Sequence, residues 1–135
     1  MTDRSEEAEK VVAEFAPLPC NAIVYRALKK RKWINEDTGQ ILPDAFLLRK
    51  DEVGISVNIA TVCSPQECAS RFNRCNAVAS LHVGRVRDLG LDIIQNKPNH
   101  AYITGLPQED DLAEAERLAG LLAKKSRIIR IESRQ

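Results

Sequence analysis

The chain has 135 residues, a length that allows one domain and hardly two. Hydrophobic residues make up 44% of it and aromatic residues only 4%, so the predicted core consists mainly of aliphatic side chains. The formal net charge of +1 excludes a strong overall attraction to nucleic acid, anionic membranes or acidic substrates, and any electrostatic function therefore requires a local patch.

The first part of the chain is predicted to stand apart from the rest. Residues 1–19 read as a helical lead-in or flexible segment, ended by two prolines, and residues 20–135 as a single domain. The start lacks the basic residues and apolar run of a secretory signal, and no stretch approaches the roughly 18 apolar residues of a membrane span. We therefore expect a cytoplasmic protein without a membrane partner.

The predicted strands are short runs rich in β-branched residues or with alternating apolar and polar residues. They cover residues 22–28, 54–60, 77–83, 91–94, 101–104 and a closing segment near 128–131, and the run 45–48 is read as strand or helix. Alternation in the second strand places Ser56 on its polar face. In the third strand it turns His82 away from the main core.

Two helices carry clear start signals. Ser64 and Glu67 form a predicted capping box, and this helix is expected to run to Phe72 or Arg74. The last helix is predicted to begin after Asp110 or Asp111 and shows the apolar period of a surface helix. Two or three helices among these strands predict an α+β fold, a single small domain with a mixed or antiparallel sheet.

The four cysteines are predicted to be thiols, because disulfides are rare in the cytoplasm. They are Cys20, Cys63, Cys68 and Cys75. None forms the tight Cys-x-x-Cys pair typical of structural zinc sites, so no metal site is predicted.

A basic cluster beside an aromatic residue is the first candidate binding site. It comprises Tyr25, Arg26, Lys29, Lys30, Arg31, Lys32 and Trp33. Such residues can hold a phosphate backbone and stack a base, provided that they join Arg85 and Arg87 or the basic C-terminus in one patch. The alternative, which we favour, is a solvated loop with Trp33 folded back as an anchor.

The two histidines, His82 and His100, are candidate general bases, because their ordinary pKa is close to neutral pH. Neither begins the His-x-Ser or His-x-Thr element of the two-histidine phosphoesterases. The alternative for each is a histidine that is hydrogen-bonded at a strand end.

The order of Tyr25-Arg26, then Ser56 before a capped helix, then His100 resembles the ADP-ribosyltransferase-like folds, including RES-type NAD-cleaving proteins. This resemblance covers roughly residues 22–104 and implies NAD as the ligand. It implies that Arg26 clamps phosphate, that Ser56 holds a ribose, and that His100 or His82 acts as the polar or basic group. One cleft must then hold Arg26, Ser56 and a histidine, whereas opposite faces of the sheet would contradict the interpretation.

Three further segments, at 24–27, 81–92 and 100–107, resemble a family of short bacterial proteins without an assigned activity. Because no complete catalytic set stands out, the first hypothesis is a non-catalytic module, without a cofactor, that binds or regulates a protein partner. An enzyme acting on NAD or a related nucleotide is the alternative. A nucleic-acid-binding module that uses residues 26–33 is the third.

Overall fold

The computed structural model describes residues 15–108 and 111–131 of the chain. Most of the predicted lead-in helix lies outside these residues, and so does Asp110. Within the described ranges, none of the helices combines the length and the apolar character that crossing a membrane requires.

Six strands form an antiparallel sheet, and the predicted α+β class is confirmed. The strands are β1 (Ile23–Ala27), β2 (Ile55–Ile59), β3 (Ala77–His82), β4 (Asp92–Lys97), β5 (His100–Thr104) and β6 (Arg127–Arg130). Their order across the sheet is β4-β5-β2-β1-β3-β6, so β1 lies between β2 and β3. All of them fall on or next to segments that the sequence predicts as strands.

The helices are α1 (Pro65–Ser70), α2 (Val83–Arg87) and α3 (Leu112–Lys125), with short 3-10 helices at Arg31–Trp33 and Pro43–Phe46. The capping box of α1 is confirmed. The backbone N–H of Glu67 donates to Ser64 Oγ at 3.1 Å, and that of Ser64 donates to Glu67 Oε1 at 2.9 Å. Asp111 caps α3 by accepting from the backbone N–H of Glu114 at 3.3 Å.

Two connections differ from the prediction. Helix α1 ends at Ser70 rather than at Phe72 or Arg74, and the chain turns with Arg74 in the left-handed region at φ 61°. The segment after β3 forms helix α2, which the sequence did not predict. Residues two apart on a helix project about 200° apart around its axis, so Arg85 and Arg87 lie on different sides of α2.

The main core lies on one face of the sheet. Aliphatic residues of β1, β2, β3 and β5 pack there with Phe46, with α2 and with the buried stripe of α3. A smaller cluster under α1, which includes Cys68 and Val78, covers part of the other face. Because α1 is short, the region beside it, near the end of β1, is left open.

Candidate functional site

The sheet opens between β1 and β2. The two strands pair at Val24 with Ile59 and at Tyr25 with Asn58, and from Arg26 onward β1 pairs with β3 alone. A cavity of about 240 Å³ lies at this opening. We call it the first cavity, and it is the candidate functional site.

Arg26 lines the first cavity together with a residue that alternation places on the other face of the sheet. Strand alternation assigns Arg26 to the core face and Ser56 to the opposite face. Both nevertheless line the first cavity, which lies where β1 and β2 stop pairing. Its Nε donates to the carbonyl of Ala45 at 2.7 Å, and its Nη1 donates to the carbonyl of Ser56 at 3.0 Å. The two bonds fix the position of the guanidinium.

The charge of Arg26 is desolvated, and no carboxylate of the described residues forms an ion pair with it. Desolvation lowers the pKa of Arg26 to about 10, and the attraction of Glu52 offsets only part of this effect, so the group stays charged at neutral pH. The ion pairs of the described residues join Arg87 to Asp92 and Arg117 to Glu114, and none of them reaches Arg26. Since a guanidinium has five N–H donors, further donors remain for a ligand.

The walls of the first cavity add positive charge. Lys29, Arg49 and Arg71 line it together with Arg26, whereas Glu52 is the carboxylate that lines it. Glu52 lies in the loop before β2, where its Oε1 accepts from the backbone N–H of Arg49 at 2.8 Å. The cavity thus has a cationic excess, although the whole chain is nearly neutral.

Strands β2 and β5 bring polar side chains to the same place. Asn58 lies opposite His100 in the register of these strands, and both line the first cavity with Ser56. His100 Nδ1 lies 2.7 Å from Asn96 Oδ1, and because an amide oxygen only accepts, this contact favours the tautomer with the proton on Nδ1. Burial, reinforced by Lys97, lowers the pKa of His100 and keeps the ring neutral at neutral pH.

Asn58 is held by two partners. Its Nδ2 donates to the carbonyl of Asn99 at 3.1 Å, and its Oδ1 accepts from Cys68 Sγ at 3.3 Å. Burial raises the pKa of Cys68 to about 12, so this sulfur is a protonated donor. One amide proton of Asn58 remains for a ligand.

The two aromatic residues of the first cavity differ in exposure. Trp33 is only 3% exposed, and its ring centroid lies 5.1 Å from the guanidinium carbon of Arg26. Phe72 is 38% exposed, with Lys29 Nζ at 5.0 Å from its ring centroid. Trp33 is therefore folded back as a buried anchor, the alternative interpretation of the basic cluster, and Phe72 is the accessible aromatic residue.

Of the predicted site residues, Arg26, Lys29, Trp33, Ser56 and His100 line the first cavity. Tyr25 lies elsewhere and packs against the cluster under α1. Arg31 lines a neighbouring cavity. Neither cavity is lined by the remaining candidates, which are Lys30, Lys32, His82, Arg85 and Arg87. Arg87 is engaged instead with Asp92 at 3.0 Å. His82, exposed at the end of β3, does not join His100.

Several residues of the first cavity are absent from the sequence-based candidates. Asn58 shares the polar face of Ser56, and that alternation could have identified it. Arg71 and Phe72 fall within the longer α1 that the sequence predicts. Because α1 ends at Ser70, they lie in the turn that follows it, where they line the cavity. Arg49 and Glu52 lie in a charged loop whose path no local pattern predicts.

The fold and the site define an α+β domain with a polar, cationic cavity at an opening in its sheet. Comparison of the chain with protein-family models, with curated protein sequences and with solved structures gave no match. The chemistry of the site is therefore argued from its own residues.

Proposed function

We propose that the first cavity binds a nucleotide through its phosphate. The observation that carries this proposal is the guanidinium of Arg26, which is desolvated, fixed by two backbone carbonyls and without a carboxylate partner among the described residues. A desolvated charge that forms no ion pair is unfavourable, and a phosphate would supply the missing partner. Arginine suits this role, because its planar fork matches phosphate oxygens.

The remaining lining favours a nucleotide over a simple anion. Phe72 is exposed, and an aromatic ring at this place can stack a base once Lys29 moves to contact a phosphate. The neutral ring of His100 and the hydroxyl of Ser56 can bond to sugar hydroxyls. A volume of about 240 Å³ lies just below the usual range of small-molecule sites, about 300–1,000 Å³, which suits one nucleotide or one end of a longer ligand.

Titration with matched ligands tests this proposal. Trp33 is the single tryptophan of the chain and lies in the cavity wall, so its fluorescence should report occupancy. We expect AMP to bind at least about tenfold more tightly than adenosine at low salt, because one charge-assisted contact is worth roughly 1.5–3 kcal/mol. Added salt should reduce the difference. Equal affinity of AMP and adenosine, or no binding of either, would overturn the proposal.

A second candidate function is the cleavage of NAD, the activity implied by the resemblance to ADP-ribosyltransferase-like proteins. What favours it is that Glu52, Ser56 and a neutral His100 line the same cavity as Arg26. The bond between nicotinamide and ribose C1 would break with its electron pair going to the nicotinamide nitrogen. Glu52 would stabilise the positive charge at C1, and water would add there and lose its proton to His100.

Release of nicotinamide from NAD, followed by chromatography, tests this candidate. We expect Glu52→Gln to reduce the rate by at least about 100-fold, a typical contribution of one positioned charged group. Binding of NAD, followed by Trp33 fluorescence, should change much less, because the phosphate contacts remain. Wild-type release no faster than in protein-free buffer, or an unaffected Glu52→Gln variant, would remove this candidate and leave the binding proposal standing.

The hypothesis of a non-catalytic module that binds a protein partner in a bacterial cytoplasm stays a prediction. The first cavity is lined by β1, β2, β5 and three connecting segments, and such a concave polar site favours a small ligand over a protein surface. If nucleotides bind without being cleaved, the chain could be a regulatory module that responds to a nucleotide. Such a module would combine the proposed nucleotide binding with the predicted binding of a protein partner.

A further inference from the structure

We infer that the nucleotide of the first cavity is the terminal residue of a single-stranded nucleic acid whose next phosphates lie in a neighbouring cavity. This inference rests on the proposed nucleotide binding and specifies its ligand class. It is drawn from the continuity of positive charge between two adjoining cavities.

The second cavity has a volume of about 470 Å³ and adjoins the first. Lys29 lines both cavities. The turn after α1 also borders both, with Arg71 and Phe72 in the first cavity and Asn73 and Arg74 in the second. The two cavities therefore adjoin at Lys29 and along this turn.

Cations from three distant parts of the chain meet in the second cavity. Arg31 follows β1, Arg74 lies in the turn after α1, and Arg130 ends β6. All three are exposed, and the ion pairs of the described residues include none of them. Glu36 is the carboxylate that lines this cavity, so the cationic excess continues from the first cavity into the second.

The character of the second cavity favours a phosphate over a second base. In a dinucleotide such as NAD the two phosphates are adjacent, and both would lie near Arg26 in the first cavity. The adenosine would then meet Arg31, Arg74 and Arg130, which offer charge but no aromatic surface. In a single-stranded nucleic acid, by contrast, successive phosphates are separated by a nucleoside. This spacing fits two separate cationic cavities.

Phe72 adds the stacking surface that single strands use. It is exposed and borders the first cavity immediately before the residues that line the second. Aromatic stacking combined with a cationic groove is the usual basis of single-strand binding. The nucleic-acid interpretation required that the basic loop join either Arg85 and Arg87 or the basic C-terminal part of the chain. Arg85 and Arg87 line neither cavity, whereas Arg130 lines the second cavity with Arg31.

Binding of thymidine 5′-monophosphate and of a five-nucleotide thymidine strand with a 5′-phosphate tests the inference. By Trp33 fluorescence at low salt, we expect the strand to bind at least about tenfold more tightly, because it adds phosphate contacts and stacking. The double variant Arg74→Glu/Arg130→Glu should lose this gain and still bind the monophosphate. Its logarithmic salt slope for the strand should fall by roughly 0.7 for each lost phosphate contact.

Arg85→Glu is the matched control, since it makes the same reversal of charge on an exposed arginine that lines neither cavity. Thermal melting verifies that each variant is folded.

If the monophosphate binds but the thymidine strand binds no more tightly, the inference is wrong and the proposed function stands. The same conclusion follows if the double variant keeps the tighter binding of the strand. If neither ligand binds, the proposed function itself fails. An equal loss of NAD binding in the double variant would identify a dinucleotide instead.

Discussion

Replacing Arg26 with methionine should weaken the binding of nucleoside monophosphates by at least about 100-fold at low salt. Two charge-assisted hydrogen bonds to a phosphate contribute roughly 1.5–3 kcal/mol each, and each 1.4 kcal/mol is a factor of about ten in affinity. Methionine is unbranched and apolar, so it can fill the space beside Trp33 without introducing a new charge. Calorimetric titration of the variant with AMP measures the loss.

The same substitution separates binding from folding. Removal of Arg26 deprives the carbonyls of Ala45 and Ser56 of a donor, which destabilises the fold. It also removes a desolvated charge, which stabilises the fold. Because these effects oppose each other, we expect the free energy of unfolding in urea to change by less than about 2 kcal/mol.

Arg85→Met is the control for the Arg26 variant, because it deletes the same charge at an exposed position outside both cavities. It should bind AMP like the wild type. A folded Arg26→Met protein with unchanged affinity for AMP would show that the buried guanidinium serves the fold alone. The proposed function would then lose the observation on which it depends.

The strands and the two capped helices could be predicted because their signals are local. Alternation in β2 and the reciprocal bonds of Ser64 and Glu67 depend on residues within one element. Helix α2 was not predicted, since it has only five residues and contains Gly84, a poor helix former. Its formation depends on packing, with Val83 and Val86 fully buried in the main core.

The candidate site was only partly predictable, because it depends on where the sheet opens. Ser56 and His100 lie on the same face of the sheet because β2 pairs with β5. Alternation within each strand predicts which face each side chain takes, but not which strands pair. Arg26 belongs by alternation to the other face, yet it lines the same cavity, which lies where β1 stops pairing with β2. No local pattern shows that this pairing ends after two residue pairs. Arg26, Ser56 and His100 therefore line one cavity, whereas their proposed roles in binding or catalysis stay predictions.

Trp33 and Phe72 should respond in opposite ways to replacement by alanine. Trp33 is 3% exposed and belongs to the main core, so Trp33→Ala should lower the free energy of unfolding by about 3–5 kcal/mol. Phe72 is 38% exposed, and Phe72→Ala should cost less than about 1 kcal/mol of stability. Phe72→Ala should also weaken AMP binding about tenfold, because a stacked base contributes roughly 1–3 kcal/mol.

Trp33→Phe keeps an aromatic ring beside Arg26 and makes the role of Trp33 testable even if the alanine variant does not fold. Its stability should lie between those of the wild type and Trp33→Ala, and its affinity for AMP, measured by calorimetry, should stay within about threefold of the wild type. Urea unfolding followed by circular dichroism gives the stabilities. A stable Trp33→Ala protein that no longer binds AMP would reverse the assignment, since Trp33 would then contact the base and Phe72 would not. The structure predicts the other result, because Trp33 is buried in the core beside Arg26, whereas Phe72 is exposed to solvent.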